Sequence, residues 1–204
     1  MNRTTAPQSG ASTTAPQSGA SSVVPRETIP VRIREAVPED APELYRVVSE
    51  AMELYRIASG IPCGKLDAGS ETVTDVRDAI ISVPVFVAVL PDGSIAGSVR
   101  LIEKNIRELS DSGLCGELSL GPESHVGYFS RFAVHEDLQG LGIGSLLYRA
   151  AEEKARDLHY SHLLLNTSLA NRTMVSFYEK RGFDLIGTDH SRGYPRGLFC
   201  KHIS

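Results

Sequence analysis

The chain has 204 residues, of which 41% are hydrophobic, and its formal net charge is −4. This length suits one domain with a short appendage, and the hydrophobic content is sufficient for a packed core. The pI is about 5.9 and the sequence has no basic stripe, so nucleic acid is not expected as the main partner. The sequence also lacks a run of about 18 apolar residues, so no membrane-spanning helix is expected. The three cysteines are far apart and no His/Cys cluster has zinc spacing. We therefore expect reduced thiols, a cytoplasmic location and no metal.

The N-terminal segment contains a repeat. The sequence TTAPQSGAS runs from Thr4 to Ser12 and again from Thr13 to Ser21, with almost no charge and no large apolar residue. Such a segment buries too little surface to offset the entropy of ordering it. It also lacks the apolar core of a signal peptide. The sequence thus predicts a disordered tail over residues 1–28 and a folded domain over residues 29–204.

Five elements are predicted in the first half of the domain. IPVRI alternates apolar and polar residues and predicts a strand. Asp40 and Glu43 suggest a capping box at the start of a first helix, and VTDVRDAI predicts a second helix. VPVFVAVL and SIAGSVRLIEK flank the turn PDG and predict two strands of a hairpin. Apolar residues at helical spacing are Leu44, Val47, Val48, Ala51 and Tyr55 in the first helix and Val73, Val76, Ala79 and Ile80 in the second.

Six further elements follow a polar, glycine-containing stretch at residues 105–124, which predicts a loop or a strand extension. HVGYFSRFAV and SHLLLNTS predict strands, separated by a helix whose apolar side carries Leu146, Leu147, Ala150, Ala151, Ala155 and Leu158. NRTMVSFYEKRG predicts a helix with Asn171 as N-cap and Gly182 as C-cap. FDLIGTD and LFCKHI predict the last two strands. The order β-α-α-β-β-β-α-β-α-β-β indicates a mixed α/β fold with helices on the faces of a sheet.

The stretch QGLGIGSLL places glycines 140, 142 and 144 directly before a helix. A tight turn, a close approach of a ligand to the backbone, and mere flexibility are all possible reasons. Close approach explains three alternating glycines best, because a helix N-terminus offers free N–H groups and positive charge to an anion such as phosphate. Gln139 can add a side-chain donor at the mouth. The stretch fits neither the P-loop nor the dinucleotide fingerprint, which argues against a nucleotide-binding oxidoreductase.

Two blocks resemble the GNAT superfamily of N-acetyltransferases. RFAVHEDLQGLGIGSLL resembles its acyl-CoA-binding segment, with Gln139, Gly142 and Gly144 at the motif positions. NRTMVSFYEKRGF resembles its later motif, an Asn followed by a helix that ends in Phe-Tyr-x-x-x-Gly-Phe. Order and separation of the blocks match as well, so that the resemblance covers about residues 29–203.

The resemblance implies a mostly antiparallel sheet splayed between strands 4 and 5, about four flanking helices, and acetyl-CoA as acyl donor. It implies that Tyr178 is the acid for the leaving thiolate, although a core tyrosine beside Phe177 is the alternative. The pantetheine arm is expected near the fourth strand, and Asn171 is expected to contact that arm or the start of its own helix. The expected cofactor-binding residues are Phe132, Ala133, Val134, Gln139, Gly140, Leu141, Gly142, Ile143, Gly144, Ser145, Asn171 and Tyr178.

Several functional questions stay open at the level of sequence. The general base is Glu103, Glu117, His125 or a water relay, and Arg131 either faces the acceptor cleft or pairs with a carboxylate. The expected acceptor is a primary amine of a small molecule or peptide, and the acidic stretch after Lys104 weakly hints at a cationic one. A non-catalytic acyl-CoA sensor is the alternative function, and a homodimer is possible.

Overall fold

The computed structural model describes residue 1 and residues 29–64, 66, 70–105 and 125–203. The predicted order of elements is confirmed. Residues 2–28 of the predicted tail lie outside the described residues. So do residues 106–124, which include Glu117. The strands are β1 (Arg32–Glu35), β2 (Val85–Val89), β3 (Ile95–Asn105), β4 (His125–Val134), β5 (His162–Ser168), β6 (Asp184–Asp189) and β7 (Arg196–His202). The helices are α1 (Ala41–Ala58), α2 (Val73–Ser82), α3 (Ile143–Asp157) and α4 (Arg172–Glu179).

The strands form one mixed sheet in the order β1-β2-β3-β4-β5-β7-β6. All neighbours are antiparallel except β4 and β5, which are parallel because α3 connects them as a crossover. Their pairing runs only from Gly127–Leu163 to Phe129–Leu165, whereas β4 continues to Val134 and β5 to Ser168. The predicted splay between strands 4 and 5 is therefore confirmed, and it opens beyond Phe129.

Helices cover both faces of the sheet. Strand β2 shows the division, since all five of its residues are buried. Phe86 and Ala88 pack in the core cluster that contains α3 and α4, whereas Val85, Val87 and Val89 pack in the cluster that contains α1 and α2. In the described ranges, no helix is long and apolar enough to cross a membrane.

Two local expectations differ from the structure. The side chain of Asp40 turns back to accept from the amide of Val37 at 2.8 Å and from Arg34, so the predicted capping box with Glu43 does not form. Glu43 instead accepts from the amide of Ile95 at 3.0 Å and ties α1 to β3. Leu158, predicted on the apolar side of α3, is 41% exposed because the helix ends one residue earlier.

Candidate active site

The three glycines before and within α3 differ in their structural roles. Gly140 and Gly142 have φ of +79° and +86°, the left-handed region that side chains rarely tolerate. Gly144 lies in the first helical turn, where a Cβ would be 3.4 Å from the Phe132 ring and 3.7 Å from the Phe177 ring. The tight turn therefore explains two of the glycines, whereas the distances around Gly144 are ordinary van der Waals contacts that would admit a Cβ.

The N-terminus of α3 is open to a ligand. The carbonyl of Gly142 accepts from the amides of Ser145 and Leu146, at 2.9 and 3.2 Å. None of the described residues accepts from the amides of Ile143 and Gly144. A Cβ built on Gly142 would meet nothing within 4 Å, so the turn is open on the side where a side chain of this residue would project. This geometry suits an anion.

The last residue of β4 borders this helix mouth. The amide of His135 donates to Ala96 in β3 at 2.8 Å, and backbone groups alternate sides along a strand. The backbone of Val134 therefore faces away from β3, into the gap between β4 and β5. Gln139, expected as a donor at the mouth, donates its Nε2 to the carbonyl of Val134 at 3.2 Å and joins the turn to the strand.

Helix α4 begins and ends as its sequence predicts. The Asn171 side chain accepts from the amide of Met174 at 3.2 Å, which caps the helix, and donates to Ser59 after α1 at 3.3 Å. Gly182, at φ +82°, donates to the carbonyl of Glu179, and the next amide donates to Tyr178. This pair of bonds is a Schellman C-cap. Of the two contacts expected for Asn171, the one with its own helix is present.

Tyr178 lies on α4 at the inner wall of the gap and is 5% exposed. Its ring packs against those of Phe177, Phe183 and Phe132, with centroids 5.3, 5.6 and 6.3 Å away. None of the described residues forms a hydrogen bond with its hydroxyl. Burial raises the pKa of Tyr178 well above its ordinary value, and the neighbouring Tyr55 and Tyr128 raise it further. The hydroxyl therefore stays protonated near neutral pH and can donate a hydrogen bond.

Arg181 links the glycine turn to α4, although neither of the two sequence motifs includes it among its characteristic residues. Its Nη2 donates to Ser145 Oγ at 2.6 Å and its Nη1 to the carbonyl of Phe177 at 2.7 Å. The guanidinium carbon lies 3.4 Å from the centroid of the Phe177 ring, a cation–π contact. The first turn of α3 is thereby fixed relative to the helix that carries Tyr178.

A bulge in β4 marks the opposite side of the gap. Ser98 pairs with Ala133 and Arg100 with Ser130, so two β4 residues, Arg131 and Phe132, face one β3 residue. Arg131 takes a φ of +50°, unusual for a non-glycine residue. The hydroxyl of Ser98 donates to the carbonyl of Arg131 at 3.3 Å and supports the bulge.

The Arg131 side chain pairs with a carboxylate, one of the two possibilities that the sequence left open. It donates to Glu71 Oε1 at 2.8 Å, and Arg100 donates to the same atom at 3.0 Å. Burial raises the pKa of Glu71, but the hydrogen bond and charge of Arg131, with the charge of Arg100, outweigh it and hold that pKa below its usual value. Glu71 is therefore ionised near neutral pH.

Two tyrosine hydroxyls lie at the end of β5 near this cluster. The amide of Ser168 donates to the hydroxyl of Tyr55 at 2.6 Å, and Thr167 Oγ1 lies 3.1 Å from the same hydroxyl. Asn166 donates its Nδ2 to the hydroxyl of Tyr128 at 3.2 Å. Residues of α1, β4 and β5 thus line the gap on the side opposite α3 with polar groups.

The candidate bases lie elsewhere or outside the described part of the chain. Glu103 and His125 contact one another at the far end of β3 and β4, where both are about half exposed. His125 is five residues before Ser130, which at about 3.4 Å per residue is about 17 Å along the strand. Within the described ranges, no group of three His, Cys, Asp or Glu side chains could hold a metal.

Contacts connect several of the expected cofactor-binding residues, namely Gln139 with Val134, and Phe132 with Gly144 and Tyr178. Asn171 instead contacts Ser59 and the first turn of α4.

Ala133 and Ile143 are 3% and 2% exposed. The backbone of Ala133 faces β3, since this residue pairs there with Ser98 and precedes Val134 by one position. Ala133 therefore offers no group to the gap, whereas Ile143 offers its backbone amide.

Five further polar or charged residues near the gap, which come from separate elements, were not predicted as site residues from the sequence. Among them only Arg100 had a sequence signal, a charge within an otherwise apolar strand. The missed residues are Tyr55, Glu71, Arg100, Asn166 and Arg181.

The sequence model described as "Acetyltransferase (GNAT) family" matches residues 52–183. An IAA acetyltransferase of Azospirillum brasilense is 33% identical over 69 residues, which are 34% of this chain and 45% of that protein. A GNAT-family acetyltransferase from Streptococcus agalactiae superposes with a TM-score of 0.68 at 20% identity, over 85% of this chain and 96% of the other. PaiA N-acetyltransferase of Thermoplasma acidophilum, solved with coenzyme A, superposes with a TM-score of 0.64 at 17% identity, over 86% of this chain and 100% of the other.

The match to the curated relative thus spans less than half of that protein, and the two solved structures are similar in fold. The family match includes β4, the glycine turn, α3, β5 and α4, the elements that form the gap. Because it covers more than half of the residues, the chain belongs to the GNAT family of acetyltransferases.

Proposed function

We propose that this protein is an N-acetyltransferase that moves the acetyl group of acetyl-CoA to a primary amine by direct attack in a ternary complex. One observation carries the proposal: the ring of Phe132 joins the open turn of α3 to Tyr178. That ring lies beside Gly144 on one side and packs against Tyr178 on the other. A ligand held at the turn and extended along β4 therefore reaches Tyr178.

The residues present fit coenzyme A. The open amides of Ile143 and Gly144, at the positive end of α3, are suited to its diphosphate. The backbone of Val134 faces the gap, where an extended arm can add to β4 as a strand does. The side chain of Ile143 is buried, so its backbone amide is the group proposed to bind, and Ala133 is proposed to hold the neighbouring Val134 in place within β4. Bound there, acetyl-CoA supplies the acetyl group as an activated thioester.

The reaction requires a neutral amine. An amine with a pKa of about 10.4 is neutral in only about one molecule per thousand near pH 7.4. Because Glu103 and His125 pair with each other about 17 Å from the start of the gap, their positions favour a water relay over either side chain. The proton removed from the amine leaves through that relay.

The remaining steps concern charge on the thioester. The amine nitrogen forms a bond to the carbonyl carbon, and the backbone amide of Val134 is the proposed donor to the resulting oxyanion. The carbon–sulfur bond then breaks, and Tyr178 donates its hydroxyl hydrogen to the leaving sulfur. The proton released by the amine restores Tyr178 through water, so the products are the N-acetyl amine and the free thiol.

The test is acetyl transfer by the purified full chain. Acetyl-CoA is incubated with a panel of primary amines, and thiol release and acetylated products are measured by absorbance and mass spectrometry. Release that depends on both protein and amine supports the proposal. Calorimetry that detects no coenzyme A binding at millimolar concentration contradicts it, and binding without transfer to any amine indicates a sensor.

A further inference from the structure

Unpaired polar atoms converge at one place beside the gap. Four buried side-chain nitrogen or oxygen atoms have no hydrogen-bond partner in the part of the chain that the structure describes. They are Arg100 Nε, Ser130 Oγ, Arg131 Nε and Asn166 Oδ1. Buried polar groups are normally paired, so four such atoms in one region indicate a missing partner.

The register of the sheet places all four together. Arg100 faces Ser130 across β3 and β4, and Arg131 follows at the bulge. Ser130 and Asn166 are the first residues beyond the last β4–β5 pair, Phe129–Leu165. The atoms therefore lie where the gap opens, on the side of the sheet that Glu71 reaches from the start of α2.

The same region carries an unbalanced charge. The guanidinium groups of Arg100 and Arg131 share the single carboxylate of Glu71, which leaves one net positive charge among these three. Their side chains are only 12%, 21% and 16% exposed, so water compensates little of it. A buried positive charge with free N–H donors is complementary to an oxyanion.

We propose that the acceptor amine carries an oxyanion group, a carboxylate or a phosphate, and that Arg100 and Arg131 bind it. This inference rests on the proposed function, because it assigns the acceptor of that reaction. The two guanidinium Nε–H groups are free to donate to the oxyanion, and Ser130 Oγ adds a further donor. The amine of the same molecule is then held at the opening of the gap, beside the thioester.

The proposal differs from the cationic acceptor that the acidic stretch suggested. That stretch, residues 106–124, lies outside the described residues, whereas Arg100, Arg131 and Glu71 are described and carry net positive charge. The described wall of the gap therefore favours an acceptor that carries an anionic group beside its amine, such as an amino acid.

The experiment compares acceptors that differ only in the anion. The full chain with acetyl-CoA is assayed on the common L-amino acids, their α-amides and the matching 1-aminoalkylphosphonates. We expect kcat/KM for the best acid to exceed that for its amide at least about tenfold, since the amide cannot receive charge-assisted hydrogen bonds. The phosphonate arm shows which oxyanion the site prefers. Calorimetric titration of the same compounds into the coenzyme A complex gives the comparison without turnover.

Matched variants assign the preference to the arginines. In Arg100→Gln the ratio between acid and amide is expected to fall at least about tenfold, with the Kd for coenzyme A unchanged. In Glu71→Gln, which removes the competing carboxylate, the KM for the acid is expected to fall. Arg34→Gln is the control, since Arg34 makes a similar double contact with Asp40, at 2.6 and 2.8 Å, on β1. There the ratio stays as in the wild type.

Because each ratio compares two acceptors on one protein, a general folding defect or a difference in amine basicity cancels between variants. Transfer with equal efficiency to acid and amide, or an unchanged ratio in Arg100→Gln, would overturn this inference and leave the proposed function intact. Absence of both transfer and coenzyme A binding would overturn the two together.

Discussion

The two sides of the gap are built in different ways. The proposed cofactor side comes from short contiguous segments, in which backbone amides and glycine conformation form the site. The proposed acceptor side collects single side chains from α1, the start of α2, β3, β4 and β5. A ligand bound by backbone groups can be recognised by the geometry of one short segment, which a single sequence motif encodes. A ligand bound by side chains from several elements depends on residues that can each be substituted separately.

The largest expected effect concerns the residue that both sides share. Tyr178→Phe keeps the ring in its aromatic cluster and removes only the hydroxyl. We expect kcat to fall by about 10²–10⁴, the usual contribution of a positioned proton donor, with the Kd for coenzyme A unchanged. Stopped-flow or steady-state assays and calorimetry measure the two quantities.

The control is Tyr160→Phe, since the Tyr160 hydroxyl donates to Glu103 at 3.4 Å, at the far end of β4. Its kcat is expected to equal that of the wild type. Because the pKa of Tyr178 lies well above its ordinary value, the wild-type pH profile should show no ionisation of this tyrosine between about pH 6 and 9. An unchanged kcat in Tyr178→Phe would return Tyr178 to the alternative reading, a packing residue.

The second prediction separates backbone strain from blocked amides. Gly142 and Gly93 both have positive φ, +86° and +90°, and a Cβ on either would meet nothing within 4 Å. Alanine at either position should therefore destabilise the fold similarly, by about 1–2 kcal/mol. Only Gly142→Ala places a methyl group in front of the open turn, so it alone should weaken coenzyme A binding, by about tenfold or 1.4 kcal/mol.

Chemical denaturation and calorimetry on both variants test this pair. Equal coenzyme A affinity in Gly142→Ala and Gly93→Ala would show that the diphosphate does not lie at the turn of α3.

The third prediction concerns the link between turn and helix. Arg181→Ala removes two hydrogen bonds and the contact with the Phe177 ring, which should lower the free energy of unfolding by about 1–2 kcal/mol. The KM for acetyl-CoA should rise several-fold while kcat changes little, because the turn moves relative to α4. Arg181→Lys keeps the charge without the planar fork and should recover only part of the effect.

Arg156→Ala is a suitable comparison, since Arg156 is 42% exposed and pairs with Glu152 at 3.4 Å. Glu152 keeps Lys201 and Tyr148 as partners in this variant. Because Arg156 is also partly exposed, loss of this pair should cost at most about 1 kcal/mol. A similar KM change in both variants would argue against a specific role for Arg181.

The smallest expected effect is a pH dependence on the acceptor side. The pKa of Glu71 is lower in the fold than its usual value, so its stabilising contribution is complete above about pH 5 and is lost as the pH falls through the folded pKa. Glu71→Gln should be less stable than the wild type at pH 7 by about 1 kcal/mol, because glutamine keeps an acceptor oxygen for the arginines but loses the charge, and the difference should disappear near pH 2–3. A difference that is constant from pH 7 to pH 2 would mean that packing, and not ionisation, causes it.

The fold was predictable because its signals are local, and the proposed cofactor side rests on signals of the same kind. Alternation and helical spacing predicted each strand and α-helix found in the described ranges, and Asn171 and Gly182 marked both ends of α4. The capping box with Glu43 was wrong because a distant partner, the amide of Ile95, takes that carboxylate. The prediction that Leu158 lies on the apolar side of α3 was wrong because periodicity alone does not show where a helix ends.

The acceptor side was not predictable in the same way. Glu71 lies just before α2 and belongs to no recognisable sequence motif. Its role depends on ion pairs with Arg100 and Arg131, which are 29 and 60 residues away in sequence. The bulge that turns Arg131 towards Glu71 is a property of the β3–β4 register. The charge of Arg100 within an apolar strand was a visible sequence signal, but its partner, Glu71, is identified only from the structure.

The most direct test of the central proposal follows each backbone amide while coenzyme A binds. In a ¹⁵N–¹H correlation spectrum of the full chain, titration with coenzyme A should shift the amides of Ile143, Gly144 and Val134 most, since these face the open turn and the gap. Shifts concentrated on other elements, or no shift at millimolar concentration, would contradict the account.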